Sequence, residues 1–163
     1  MTGRDGIAAQ KAALRSEMLQ ALRGMTADER MQRSALICRR ILDSEAWQKA
    51  ERVLLFVPMR TEVDIGGVTS AALVARKEMA VVPTTLRAES DLHLPFVADL
   101  ILVPGLAFGR DGHRLGRGGG FYDRLLDGRG RSATKVGVCF AFQLHDAVPV
   151  EAHDTVLNAV ISD

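Results

Sequence analysis

Gly116, Gly118, Gly119 and Gly120 crowd one short stretch immediately before Phe121-Tyr122-Asp123, and Arg110, Arg114, Arg117 and Arg124 lie around them. Successive glycines let backbone N–H groups converge on one point, and the free amides that open a helix carry partial positive charge. Such a place binds anions, phosphates above all. Guanidinium forks fit phosphate oxygens better than ammonium groups do. For a bare glycine cluster a solvated surface loop is the more common outcome. Here an apolar run before it, a helix signal after it and four arginines favour anion binding.

Other residues stand out by pattern. At about 100° per residue, Lys11, Arg15, Met18 and Leu22 fall on one helical stripe, so two cations prolong an apolar face and should point into the protein body. Snorkelling past the buried stripe explains this more commonly than a bound anion does. Glu62 and Asp64 follow an apolar run, where loops leaving strand ends line a crevice. Asp64 serves equally well as a cap for the next helix; Glu62 has no obvious local use. Asp123 suits the first turn of its helix as a dipole partner.

The elements that must position these groups alternate along the chain. Ile7 to Leu22 reads as a helix, with Gly24 a stop and Thr26-Ala27-Asp28-Glu29 a capping box for the next. That second helix, from about Ala27 to Asp43, should bury Leu36, Ile37 and Ile41, and Trp47 should pack where the chain turns. Val53 to Val57 is a continuous apolar run of the kind found in buried parallel strands. A short helix from Gly67 to Arg76 and a strand from Met79 to Pro83 follow, then a polar connection from Thr85 to Pro95. Leu100 to Val103 is the next strand, and a long loop leads from it to the glycines. Lys135 to Phe140 is another strand, and Thr155 to Ile161 suits a sheet edge. The expected fold is α/β, one domain over 1–163 with a doubly wound, mostly parallel sheet flanked by helices.

With 163 residues, 47% of them hydrophobic and 25% charged, the chain has an ordinary globular composition and enough length for a core. A formal net charge of +1 removes any global argument for a nucleic-acid or acidic-membrane partner. Cys38 and Cys139 lie in apolar stretches without metal-type spacing, so both should be reduced core residues of a cytoplasmic protein. No apolar run approaches the roughly 18 residues of a membrane span. Nor does any Gly-Lys pair occur, which excludes a Walker loop, and the glycines lie a full loop beyond Val103, which excludes a dinucleotide fingerprint.

The run VPGLAFGRDGHRLGRGGGFYDRLL resembles the signature of the 5-formyltetrahydrofolate cyclo-ligase family. The resemblance extends to Lys11-x-x-x-Arg15, to Glu62-Val63-Asp64 and to VPVEAHD near the C-terminus, in the right order along the chain. It implies an ATP-dependent ring closure of 5-formyltetrahydrofolate to 5,10-methenyltetrahydrofolate. By the same resemblance Lys11, Arg15, Arg114, Leu115, Gly116, Arg117, Gly118, Gly119, Gly120, Phe121 and Tyr122 would hold ATP, with Arg117 at the transferring phosphoryl group. Asp123 and Asp154 would hold Mg²⁺, a hard cation suited to carboxylate and phosphate oxygens. Val57 and Glu62 would face the pterin, with Arg117 to Phe121 shared between the two substrates. The implied partners are ATP and a reduced formyl-folate, with no nucleic acid or membrane, on a monomer or weak homo-oligomer.

Two positions depart from the family pattern. Gly119 stands where many members have lysine, and the chain is shorter than the pattern between Phe96 and Asp99. The alternative reading is therefore a nucleotide-binding relative whose folate activity is lost or changed. A third, a nucleic-acid contact through LGRGGGFY and GRGR, is opposed by a single tyrosine and a near-neutral charge.

Overall fold

The computed structural model describes residues 3–163. The chain opens with three helices, α1 (Gly3–Gly24), α2 (Ala27–Asp43) and the short α3 (Glu45–Lys49). It continues through β1 (Arg52–Phe56), α4 (Gly66–Val74) and β2 (Glu78–Val82), then β3 (Leu100–Val103). Next come β4 (Ala107–Gly109), β5 (Arg114–Leu115), α5 (Phe121–Asp127), β6 (Thr134–Val138), β7 (Leu144–His145) and β8 (Ala159–Ile161). Five of the strands form an all-parallel sheet in the order β2-β1-β3-β6-β8, flanked by helices, as the alternation of apolar runs and helical segments led one to expect.

Burial follows position in the sheet. Leu100 to Val103 of β3 and Val53 to Phe56 of β1 are buried without interruption, because central parallel strands are covered on both faces. The edge strands β2 and β8 are only partly buried. The last of these is the C-terminal segment that suited an edge. At the other end of the strands, Asp99 accepts from the backbone N–H groups of Glu51 and Arg52 and pairs with the Arg52 guanidinium at 2.8 Å, tying the start of β1 to the start of β3.

The capping box forms as the sequence indicates: Glu29 N donates to Thr26 Oγ1 and Thr26 N to Glu29 Oε2. One expectation for α2 is corrected. Ser34, Ile37, Cys38 and Ile41 make its buried stripe, while Leu36 is 46% exposed, since it lies a full helical step away from that stripe. Both cysteines are free and buried, and burial pushes the Cys139 thiol up to about 12. They are inert core groups.

A second correction concerns the stretch between Val103 and the glycines. It is not a plain loop: β4 pairs antiparallel with β5 and parallel with β7, making a small sheet in the order β5-β4-β7. Strands of two or three residues leave no periodic signal and exist through their pairing. The small sheet packs against β6 through Phe108, whose ring passes where Gly137 lacks a side chain; a Cβ there would lie 2.6 Å from Phe108 Cε1. This packing fixes where β5 ends, and so where the glycine run begins.

Candidate active site

The strand order turns back on itself between β1 and β3, and in open parallel sheets ligands lodge outside the carboxyl ends of strands at such a switch point. A cavity of about 330 Å³ opens there, between Val57 after β1 and Pro104-Gly105 after β3. Its wall includes Lys11 and Arg15 from α1, Val57 and Glu62 from the β1 loop, the whole run from Arg114 to Asp123, and Asp154 from the connection before β8. Thus residues far apart in the chain, some singled out by type and spacing and others, Val57 and Asp154 among them, only by resemblance, meet in one cleft. Asp64 is not part of it; its Oδ1 accepts from Gly66 N at 3.0 Å, in the turn that leads into α4, where Ile65 holds the cap position. Arg110 also lies elsewhere, beside Asp146 at 3.5 Å.

The glycine loop is shaped by backbone conformations that side chains disfavour. Gly118 has φ +106° and Gly120 φ +69°, both left-handed. A Cβ on Gly119 would meet nothing within 4 Å, so the crown of the loop faces open space. Because α5 is only seven residues long, its dipole is small, and the local positive potential comes mainly from side chains. Arg15 braces the loop, Nε donating to Gly116 O at 2.9 Å. Arg124 fastens the other side, Nη1 donating to Gly119 O at 3.0 Å and Nε to Glu89 Oε2 at 2.9 Å.

Arg114 is buried, donates to Pro104 O at 3.2 Å, lies over the Tyr122 ring and meets Asp123 Oδ1 only at 3.6 Å. Burial holds its guanidinium below the ordinary arginine value, against the raising effect of Asp123. A buried, loosely paired cation on a cleft wall attracts an anion.

One turn before Arg15 on α1, Lys11 Nζ donates to Asp154 Oδ2 at 2.7 Å and to Glu151 Oε2 at 2.8 Å. Lys11 is 7% exposed, so the stripe does aim its cations inward. Burial pulls the Lys11 ammonium down, but its bonds to Asp154 and Glu151 outweigh this and its pKa is raised. Burial pushes the Asp154 carboxyl up, while Lys11 and the Glu151 N–H together hold it below the usual carboxylate value. Asp154 is therefore no idle turn residue.

At the other end of the cleft, Glu62 has a local use that its sequence context does not reveal: Oε2 accepts from Met59 N at 2.9 Å. Its Oε1 lies 3.5 Å from Arg117 Nη2. Arg30 of α2 supports the loop from behind, donating to Glu62 O at 2.7 Å. Arg30, Glu151, His153, Leu86 and Arg87 are site or supporting residues that sequence reasoning passed over. Glu151 and His153 lie in the VPVEAHD run already singled out, and their proximity to Asp154 was the available signal; the others carry none.

The fold and site define a doubly wound α/β protein with a cation-lined cleft at the switch point of its sheet. The profile of the 5-formyltetrahydrofolate cyclo-ligase family matches residues 7–98 and 83–163. A mouse protein named 5-formyltetrahydrofolate cyclo-ligase is 27% identical over 187 residues, covering 93% of this chain and 92% of its own. A Mycoplasma pneumoniae protein of the same name is 26% identical over 162 residues, covering 94% and 98%. Among solved structures, the Aquifex aeolicus 5,10-methenyltetrahydrofolate synthetase superposes with a TM-score of 0.77 at 25% identity, over 93% of this chain and 89% of that one. The chain belongs to the 5-formyltetrahydrofolate cyclo-ligase family, and its fold and enzyme class are those of that family. The Mycoplasma relative matches end to end at nearly this length, so a short form exists within the family.

Proposed function

We propose that the cleft closes 5-formyltetrahydrofolate to 5,10-methenyltetrahydrofolate at the expense of ATP. The observation that carries this reading is the meeting of Arg117 and Glu62, 3.5 Å apart, at the join between the glycine loop and the β1 loop. A phosphoryl donor held by the glycine loop and a pterin held by Glu62 would have their reacting atoms brought together there.

In this mechanism the formyl oxygen attacks the γ-phosphorus and ADP leaves. N10 then attacks the activated formyl carbon and gives up its proton to water or to the departing phosphate, which leaves with the original formyl oxygen and the C–O bonding pair, so that the methenyl bridge remains. The protein need not supply a strong acid or base; it must position two ligands and neutralise charge. Lys11, Arg15, Arg114 and the amides of Gly116 to Tyr122 serve the phosphates, and Arg117 stands beside the transferring group. The Glu62 carboxylate accepts from the amino and ring N–H edge of the pterin, and Val57 lies against its face.

Asp123 and Asp154, with Glu151 close by, offer hard oxygen donors of the kind Mg²⁺ prefers, and Lys11 already shows that a cation is welcome between Asp154 and Glu151. The residues fit the ion, which when bound neutralises phosphate charge that Lys11 and the arginines leave. The two free, buried thiols support a cytoplasmic location.

The test is absorbance-monitored formation of methenyltetrahydrofolate from 5-formyltetrahydrofolate, with and without MgATP. Product that depends on MgATP is expected; saturable ATP binding without product would sink the reading in favour of a nucleotide-binding relative.

A further inference from the structure

Five cations line the cleft, and three of them face carboxylates: Lys11 faces Asp154 and Glu151, Arg114 faces Asp123, and Arg117 faces Glu62. The remaining two, among the described residues, bond only to main-chain carbonyls. Arg15 donates to Gly116 O at the glycine loop, and Arg87 Nη1 donates to Thr84 O at 3.2 Å. Each spends one of its five N–H groups there, and an arginine with four unspent is available to a ligand.

These two lie at opposite ends of the cleft because the strand order puts them there. β2 is the edge strand, β1 lies inside it and β3 beyond. Val57 N donates to Val82 O at 2.9 Å, so the β1 loop that carries Glu62 and the segment that carries Arg87 leave the sheet side by side. Arg15 and the glycine loop lie on the far side, after β3. The chain just beyond Arg87 is also held in place: Arg124 binds Glu89, and Arg129 donates to the carbonyls of Glu89 and Leu92, fastening residues 89–92 to α5 and to the turn that follows it.

Resting on the cyclo-ligase reading, the order of ligands follows from chemistry. The substrate is reactive at its pterin end and doubly anionic at its glutamate end. If the pterin meets Glu62 and the phosphates lie under the glycine loop, the glutamate must run outward past the end of β2. We propose that Arg87 binds the glutamate carboxylates of the folate and is a specificity residue of the enzyme, with the 84–92 segment, held at Glu89 and Leu92, as the wall on that side.

The experiment compares Arg87→Gln and Arg87→Lys with the unsubstituted chain on two substrates, 5-formyltetrahydrofolate and its glutamate diamide, at saturating MgATP. For the dicarboxylate, Arg87→Gln is expected to raise KM roughly tenfold, the loss of one charge-assisted hydrogen bond at a solvent-facing rim, and Arg87→Lys to recover part of it. The penalty should vanish with the diamide, and the KM for ATP should not move. Equal penalties on the two substrates would make Arg87 structural, and no penalty on either would place the glutamate elsewhere; each overturns the proposal. No product from the unsubstituted chain with either substrate would instead refute the cyclo-ligase reading, and the role of Arg87 with it.

Discussion

Replacing Lys11 with methionine preserves most of the apolar stem and removes the ammonium. Its effect on stability can be worked from the contacts. Lys11 and Asp154 side chains are 9% and 7% exposed, whereas Glu151 is 39% exposed. Breaking a fully buried ion pair costs about 3–5 kcal/mol, and breaking a surface pair about 0–1 kcal/mol. Asp154 would keep one strong bond, from Glu151 N at 2.7 Å, and it lies on the wall of an open cleft where water can reach the freed oxygen. A cost of about 2 kcal/mol is therefore expected, between the two limits. For a chain of this size that lowers the unfolding midpoint by about 4–8 °C.

The pH of the measurement matters. The raised pKa of Lys11 gives stability that is present below the ordinary lysine value and lost as pH rises through the raised one. The lowered pKa of Asp154 gives stability that is present above the ordinary aspartate value and lost as pH falls through the lowered one. Both contributions are complete at pH 7. Thermal and urea unfolding there, followed by far-ultraviolet circular dichroism, should show Lys11→Met less stable than the parent. Lys11→Met/Asp154→Asn should recover part of the loss, because the stranded carboxylate is gone. Additive effects in this cycle would refute the coupling, as would a Lys11→Met protein within about 0.5 kcal/mol of the parent, the spread ordinary for surface substitutions.

Arg117→Ala should behave in the opposite way. Its two side-chain contacts, 3.4 Å to Thr61 Oγ1 and 3.5 Å to Glu62, are long and solvent-facing, so stability should change by no more than about 0.5 kcal/mol. Turnover should fall by about 10²–10³ if the guanidinium stabilises the transferring phosphoryl group; a large fall in the unfolding midpoint with turnover intact would make it structural. Away from the cleft, bonds from Arg52 hold the Asp99 carboxyl below its usual range. Stability from this group is present above the ordinary carboxylate value and lost as pH falls through the lowered one. Asp99→Asn should lower the midpoint at pH 7 by about 2–4 °C and flatten its decline in acid, as read by unfolding scans from pH 7 to pH 3.

Much of the sheet could be read from the chain because buried parallel strands must be apolar throughout: VLLF and LILV announce themselves. The capping box at Thr26 and Glu29 is equally local and equally legible. What could not be read depends on partners distant in sequence. Ala107–Gly109 and Leu144–His145 are strands only because each finds the other, and Phe108 can cross β6 only because residue 137 is glycine. The candidate site divides in the same way. The inward stripe of Lys11 and Arg15 follows from helical period, and the glycine loop from composition. Arg30 behind Glu62, in the first turn of α2, and Arg87 at the rim, in a segment of low periodicity, are surface-type arginines, and nothing in their immediate context distinguishes them from solvated charge.

The near-neutral net charge also acquires a local meaning. Within the cleft, cations pair with carboxylates: Lys11 is held by Asp154 and Glu151, and Arg117 by Glu62. Each partner is a group that the proposed function needs elsewhere, the carboxylates for a metal ion and a pterin, the cations for phosphates. Such pairing keeps the buried Lys11 and Asp154 charges from standing alone, which would cost about 2 kcal/mol, whereas the longer, more exposed Arg117–Glu62 pair contributes little to stability. It also means that a phosphate drawing Arg117 away leaves Glu62 Oε1 free for the pterin edge, and a pterin on Glu62 leaves Arg117 free for phosphate. Among the described residues Arg15 and Arg87 have no such counterpart, so through them an anion can first be engaged without breaking a pair, one at each end of the cleft.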